Sequence, residues 1–133
     1  MITGDRTWHC DALATQVVGR LVARYGRDEL VLVHGAATGV DSAFDRAAIA
    51  ARVAREPHPA EWDRLGRRAG PVRNAAMIAT GAGFCLAVHR FLMNSKGTRD
   101  CCLQALAAGI PTWLIDSDDG EPKRLAADDP RLE

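Results

Sequence analysis

Three short runs, LVLVH at 30–34, FCLAV at 84–88 and PTWLI at 111–115, are apolar at nearly every position and bounded by turn-forming residues. A strand with one wet face alternates apolar and polar residues, whereas a strand covered on both faces is apolar throughout. Helical patterns separate the runs. Phe44, Ala47, Ala48 and Ala51 follow the i, i+3, i+4, i+7 spacing of one helix face, as do Leu103, Leu106, Ala107 and Ile110. Leu13, Val17 and Leu21 mark an earlier helix that starts near Asp11, and Gly26 stands just after it. Gly109 and Pro111 close the last helix. Weaker strand segments at 1–3 and 52–57, and a helix over 72–80 behind Gly70-Pro71, complete a β-α-β-α-β-α-β-α-β order. Such alternation implies a parallel sheet with right-handed crossovers and helices on both faces. The expected fold is therefore α/β, a three-layer sandwich with a mostly parallel sheet of about five strands.

A chain of 133 residues has the size of one domain. The alternating pattern ends at residue 115. Residues 116–133 hold seven acids against three bases, a net −4, so that residues 1–115 carry +4 in a chain of zero formal charge. The segment is polar and contains two prolines, and the expectation is a loose acidic tail. No run approaches the roughly 18–20 apolar residues of a membrane span, and MITGDRTWHC lacks the profile of a signal peptide. A cytoplasmic protein without a membrane partner is expected. Cys10, Cys85, Cys101 and Cys102 form no C-x-x-C pair and have no histidine at zinc-ligand spacing, which points to reduced, buried thiols and no metal site.

In an open parallel sheet, ligands bind beyond the carboxyl ends of the strands, so the strand-to-helix loops carry the chemistry. In ITGDRTW (2–8), Gly4 allows close backbone approach and Arg6 can meet a phosphate or carboxylate. In HGAATGVDSAFDRAA (34–48), Gly35 and Gly39 flank small residues ahead of a helix, Thr38 adds a hydroxyl, and Asp41 falls in the first turn. Exposed N–H groups and the helix dipole make such a loop an anion site, although a tight turn with a capping acid fits the same residues. In EWDRLGRRAGPVRNAAM (61–77), Arg73 and Asn74 sit early in a helix, where a cation opposes the dipole and needs another partner. In NSKGTRDCC (94–102), Ser95, Gly97 and Thr98 present donors and Lys96 a charge, while Asp100 either stabilises the helix end or binds a ribose hydroxyl.

Taken together these loops resemble the SLOG superfamily of Rossmann-like proteins, closest to its YspA-like, cpYpsA-related branch. The resemblance rests on Thr3-Gly4-Asp5-Arg6, Gly35 to Asp41, Glu61-Trp62-Asp63, Gly70 to Asn74, Gly97 to Asp100, and Ala108 to Pro111, in that order. Two positions depart from the pattern. Asn94, Ser95 and Lys96 stand where two glycines usually precede the Gly-Thr pair, and Asp5 stands where a serine is usual. The resemblance implies binding of a nucleotide or nucleotide derivative, by a sensor or processing domain, with no required cofactor and with pairing into homodimers. Its implied ligand contacts are Gly4, Arg6, Gly35, Thr38, Gly39, Asp41, Arg73, Asn74, Ser95, Lys96, Gly97 and Thr98.

A more distant likeness, around RNAAM and Gly97-Thr98, is to the Lonely Guy (lysine-decarboxylase-like) phosphoribohydrolases, which cleave nucleoside monophosphates with an arginine and a glutamate. Arg73 falls at the arginine position, but the glutamate position is Cys101, which leaves Asp100 as the acid such chemistry would need. The loop at 34–48 is also similar to that of DNA-processing protein A. Single-strand binding calls for stacking aromatics in a basic groove. Seven aromatics, with Trp62 near Arg64, Arg67, Arg68 and Arg73 as the one cluster, make nucleic acid the weaker reading.

Overall fold

The computed structural model describes residues 1–133. In chain order the elements are β1 (Ile2–Gly4), α1 (Asp11–Tyr25), β2 (Val31–His34), α2 (Val40–Ala50), β3 (Ala54–Pro57), α3 (Trp62–Leu65), α4 (Ala69–Ala79), β4 (Cys85–Val88), α5 (Lys96–Ala107), β5 (Thr112–Ile115) and β6 (Lys123–Arg124). The fold is mixed α/β, with the alternation that the apolar runs require. Helix α4 begins three residues earlier than residue 72, taking Gly70 and Pro71 into its first turn. The missing N–H of a proline is harmless there, because first-turn amides have no helical acceptor.

The strands form two hydrogen-bonded groups instead of one sheet of five. Strands β1, β4 and β5 run parallel in the order β1-β4-β5-β6, with β6 antiparallel at the edge, and β2 pairs in parallel with β3 alone. No ladder joins β1 to β2. Side chains hold the two groups together: Ile2 and Leu32 share one apolar cluster with α1 and α2, while Met1 and Val33 share another with Met77, Cys85, Cys101 and Ala105. Between the amino ends of β1 and β2 lies an apolar cavity of about 670 Å³, lined by Ile2, Leu21, Tyr25, Val31 and Phe84 among others. Within β4, successive residues face opposite ways. Leu86 and Val88 point to the α1/α2 cluster, and Cys85 and Ala87 to the clusters under α4 and α5, as continuous apolar strands dictate.

Residues 116–133 are not a loose tail. The Leu125 N–H donates to the Thr112 carbonyl at 2.9 Å, β6 pairs with Trp113 and Leu114, and the Arg124 guanidinium lies 5.1 Å over the Trp113 ring. Leu125 is 1 % exposed and Leu132 is 5 % exposed, both packed with Ala87, Leu92, Cys102 and Leu114. Two leucines among polar residues anchor the segment, each burial contributing about 1.5–3 kcal/mol. Composition averaged them away. No helix is long and apolar enough to cross a membrane.

Candidate functional site

At the carboxyl ends of β1, β2 and β4 a polar cleft of about 490 Å³ opens between the loops. It gathers Gly4, Arg6, Asp41, Arg73, Asn74, Ser95, Lys96, Gly97, Thr98 and Asp100 from four separate segments of the chain. Gly35, Thr38 and Gly39 are not on its wall. Their geometry explains why.

The loop before α2 packs against the loop after β1. Gly39 has φ +72°, and a Cβ there would lie 2.3 Å from the Asp5 carbonyl oxygen. The Val40 N–H donates to that same oxygen at 3.0 Å, and the Thr38 hydroxyl donates to the Arg6 carbonyl at 3.1 Å. Gly35 instead makes room for an arginine: its carbonyl accepts from Arg73 Nη1 at 2.5 Å, and a Cβ would sit 2.1 Å from that nitrogen. Gly4 is required by close strand and helix approach, since a Cβ would meet the Val88 carbonyl oxygen at 2.4 Å and Val40 Cγ1 at 2.6 Å. These glycines serve packing, and the Gly35, Ala36, Ala37 and Val40 N–H groups are engaged by the protein itself.

Asp5 and Asp41 are handled oppositely. Asp5 Oδ1 accepts from the Thr7 N–H and hydroxyl, both at 2.7 Å. Burial works to raise its pKa, but the Thr7 hydrogen bonds outweigh it and hold the carboxyl below its ordinary range. Asp5 does not line the cleft. Asp41 does line it, at 5 % exposure. Its Oδ2 accepts from the Gly35 and Ala37 N–H groups at 3.1 and 3.3 Å, while Oδ1 has no hydrogen-bond partner. Burial pushes its pKa up, against the pull of the Ala37 N–H, His34 and Arg73.

A polar chain runs along the cleft floor. Arg73 Nε donates to Asn74 Oδ1 at 2.9 Å, and Asn74 Nδ2 donates to Asp100 Oδ2 at 2.9 Å and to the Gly97 carbonyl at 3.3 Å. Gln104 Nε2 donates to the same Asp100 oxygen at 2.8 Å and to the Pro71 carbonyl at 3.2 Å. The chain ties the loop before α2 to α4 and α5. It also answers what offsets a cation near the start of α4: burial lowers the Arg73 pKa, Asp41 opposes that, and the Gly35 and Asn74 oxygens hold the guanidinium.

At the start of α5, Ser95 Oγ accepts from the Thr98 N–H at 3.1 Å, a helix cap. Lys96 and Gly97 are exposed beside it, with their first-turn amides free of helical acceptors. Cys101, at the glutamate position of the hydrolase pattern, lies fully buried in the core, where hydrogen bonding with Cys85 and burial push its pKa well up. It cannot reach the cleft.

Trp62, Arg67 and His89 are among the further residues that line the cleft. Trp62 is 46 % exposed, its ring close to Gly70 and covered by the Arg6 guanidinium at 5.2 Å. Arg67 is exposed on the same wall. Both stood in the arginine-rich cluster of the sequence, without a place at the ligand edge. His89 was not singled out, although it directly follows β4 and so had to fall at a carboxyl strand end. Its Nδ1 accepts the Phe91 N–H at 2.9 Å, which fixes the proton on Nε2 in the neutral ring. Burial lowers the His89 pKa, with Asp5 opposing.

Comparison with known proteins adds two findings. The family model described as the YspA, cpYpsA-related SLOG family matches residues 1–65. The Gene 61 protein of Mycobacterium phage D29 is 41% identical over 121 residues, which covers 84% of this chain and 90% of that protein. No solved structure gives a significant match.

Proposed function

The chain belongs to the YspA, cpYpsA-related SLOG family, and on that premise we propose that the cleft binds a nucleotide or nucleotide-derived ligand, as a sensor or processing domain. The observation that carries this reading is the convergence of Arg6, Arg67, Arg73 and Lys96 with the half-exposed Trp62 on one polar cleft of about 490 Å³. Lys96 and the first-turn amides of α5 suit a phosphate, and the Trp62 face suits a base. The volume falls within the roughly 300–1,000 Å³ of small-molecule sites. We read the architecture as a Rossmann-like three-layer sandwich, whose ligands lie at this end of the strands.

A hydrolase of the Lonely Guy type is the second reading, favoured by Arg73 and Asp100 lying within one hydrogen-bonded chain on the cleft floor. It requires the free oxygen of Asp100 to act, because the family's glutamate position is a buried cysteine. Cleavage of a nucleoside monophosphate into base and ribose 5-phosphate tests it directly. Cytoplasmic location, pairing of two copies and independence of a cofactor belong to the same proposal. Light scattering distinguishes one from two chains of 14.3 kDa.

Thermal-shift and calorimetric screening of nucleoside mono- and diphosphates, ADP-ribose and NAD tests binding. At least one class should bind, and Lys96→Glu with Arg67→Glu should abolish it without unfolding, since both side chains are exposed. Silence across the screen, or affinity indifferent to the double charge reversal, defeats the reading.

A further inference from the structure

Asp41 carries the one buried side-chain oxygen or nitrogen in the protein without a hydrogen-bond partner. Folded proteins leave few such atoms, and each calls for an explanation. Oδ2 is satisfied by two backbone N–H groups, so the side chain is fixed, and the Oδ1 acceptor is left over on a residue of the cleft wall. The nearby Arg73 does not serve it, having given Nη1 to the Gly35 carbonyl and Nε to Asn74.

In its ionised form Asp41 only accepts, so the ligand group that completes it is a hydrogen-bond donor. A phosphate at neutral pH offers mainly acceptor oxygens and negative charge, so it belongs elsewhere, at the Lys96 end of the cleft. A nucleotide has two other kinds of donor, the sugar hydroxyls and the N–H groups of the base. Trp62 is half-exposed, with the Arg6 guanidinium over its ring, whereas Asp41 is 5 % exposed. The base fits the former, which leaves the sugar for the latter. We infer that Asp41 Oδ1 accepts a hydrogen bond from a sugar hydroxyl of the bound nucleotide, so that Asp41 selects ribonucleotides over their deoxy counterparts. The inference rests on the nucleotide reading of the same cleft.

The test uses AMP, GMP, CMP and UMP with their 2′-deoxy and 3′-deoxy forms, titrated calorimetrically into the full chain. Loss of the hydroxyl that meets Asp41 should weaken binding roughly 10- to 100-fold, the range of a hydrogen bond to a charged group. Asp41→Ala should erase the difference. Asp41→Asn keeps an amide oxygen for the Gly35 and Ala37 N–H groups and presents an uncharged NH₂ where Oδ1 was, so the preference should fall to a few-fold. This variant decides the matter if the alanine protein does not fold. Equal affinity of the wild type for ribo- and both deoxy forms overturns the inference, as does full preference in Asp41→Asn. If nucleotides bind without sugar preference, only this inference falls; if none binds, the nucleotide reading falls with it.

Discussion

Alanine at three glycines separates packing from ligand binding. At Gly39, φ +72° already costs a residue with a Cβ about 1–2 kcal/mol. The new methyl group would also lie 2.3 Å from the Asp5 carbonyl oxygen and 2.4 Å from the Arg6 carbonyl carbon. These are backbone atoms, so relief requires the loop after β1 to withdraw. That withdrawal loosens the Val40 to Asp5 and Thr38 to Arg6 hydrogen bonds, each contributing about 0.5–1.5 kcal/mol. Gly39→Ala should therefore destabilise the fold by about 2–4 kcal/mol. At Gly35 the obstacle is the flexible end of Arg73, 2.1 Å away, and φ is not positive. Gly35→Ala should displace the guanidinium at a cost of only about 1 kcal/mol to stability, while weakening whatever the cleft binds. Around Gly97 nothing lies within 4 Å, and its place in α5 lets alanine add up to about 1 kcal/mol. Urea unfolding, with the midpoint read at constant slope, measures all three. A Gly39→Ala midpoint equal to the wild type would refute the packing account, and a Gly97→Ala midpoint far below it would refute the helix assignment.

Other substitutions and conditions have defined outcomes. Leu125→Ala should lose about 2–5 kcal/mol by urea unfolding, the cost of truncating a fully buried leucine; a truly loose tail would show no change. Asp129, whose pKa Arg131 holds down at about 2, has a folded value below its unfolded value near 4. Its contribution is thus present above about pH 4 and lost as pH falls toward about 2, and carboxyl ¹³C shifts should follow that titration. For Asp41 the sign reverses. Burial raises its folded pKa, so its contribution is present in acid, below the unfolded pKa, and lost as pH rises through the folded value. Asp41→Asn should accordingly raise the melting temperature by a few degrees at neutral pH, and the gain should shrink in acid.

The strand runs were legible because burial on both faces leaves no polar positions, and that alone placed the loops at one sheet edge. Asp41, Arg73, Asn74 and the residues 95–100 came within reach by the same logic. What could not be read was how glycines are used: a Gly-rich loop that presents amides to an anion and one that admits a neighbouring backbone have the same composition. Gly39 is of the second kind, and Gly35 instead admits the Arg73 side chain. Register between β1 and β2 was equally hidden, since Ile2 and Leu32 pack together whether or not their backbones pair. The acidic segment misled because charge averaging hides two leucines. His89 was missed because a lone histidine has no pattern, though its place after β4 was available.

Two cavities compete for a nucleotide: the polar cleft, where we place it, and the larger apolar cavity between the amino ends of β1 and β2. Amide and indole chemical-shift mapping during titration with nucleoside phosphates tests this most directly. Shifts should concentrate at Arg6, Trp62, Lys96 and Gly97. Shifts confined to Tyr25, Val31 and Phe84 would contradict that placement.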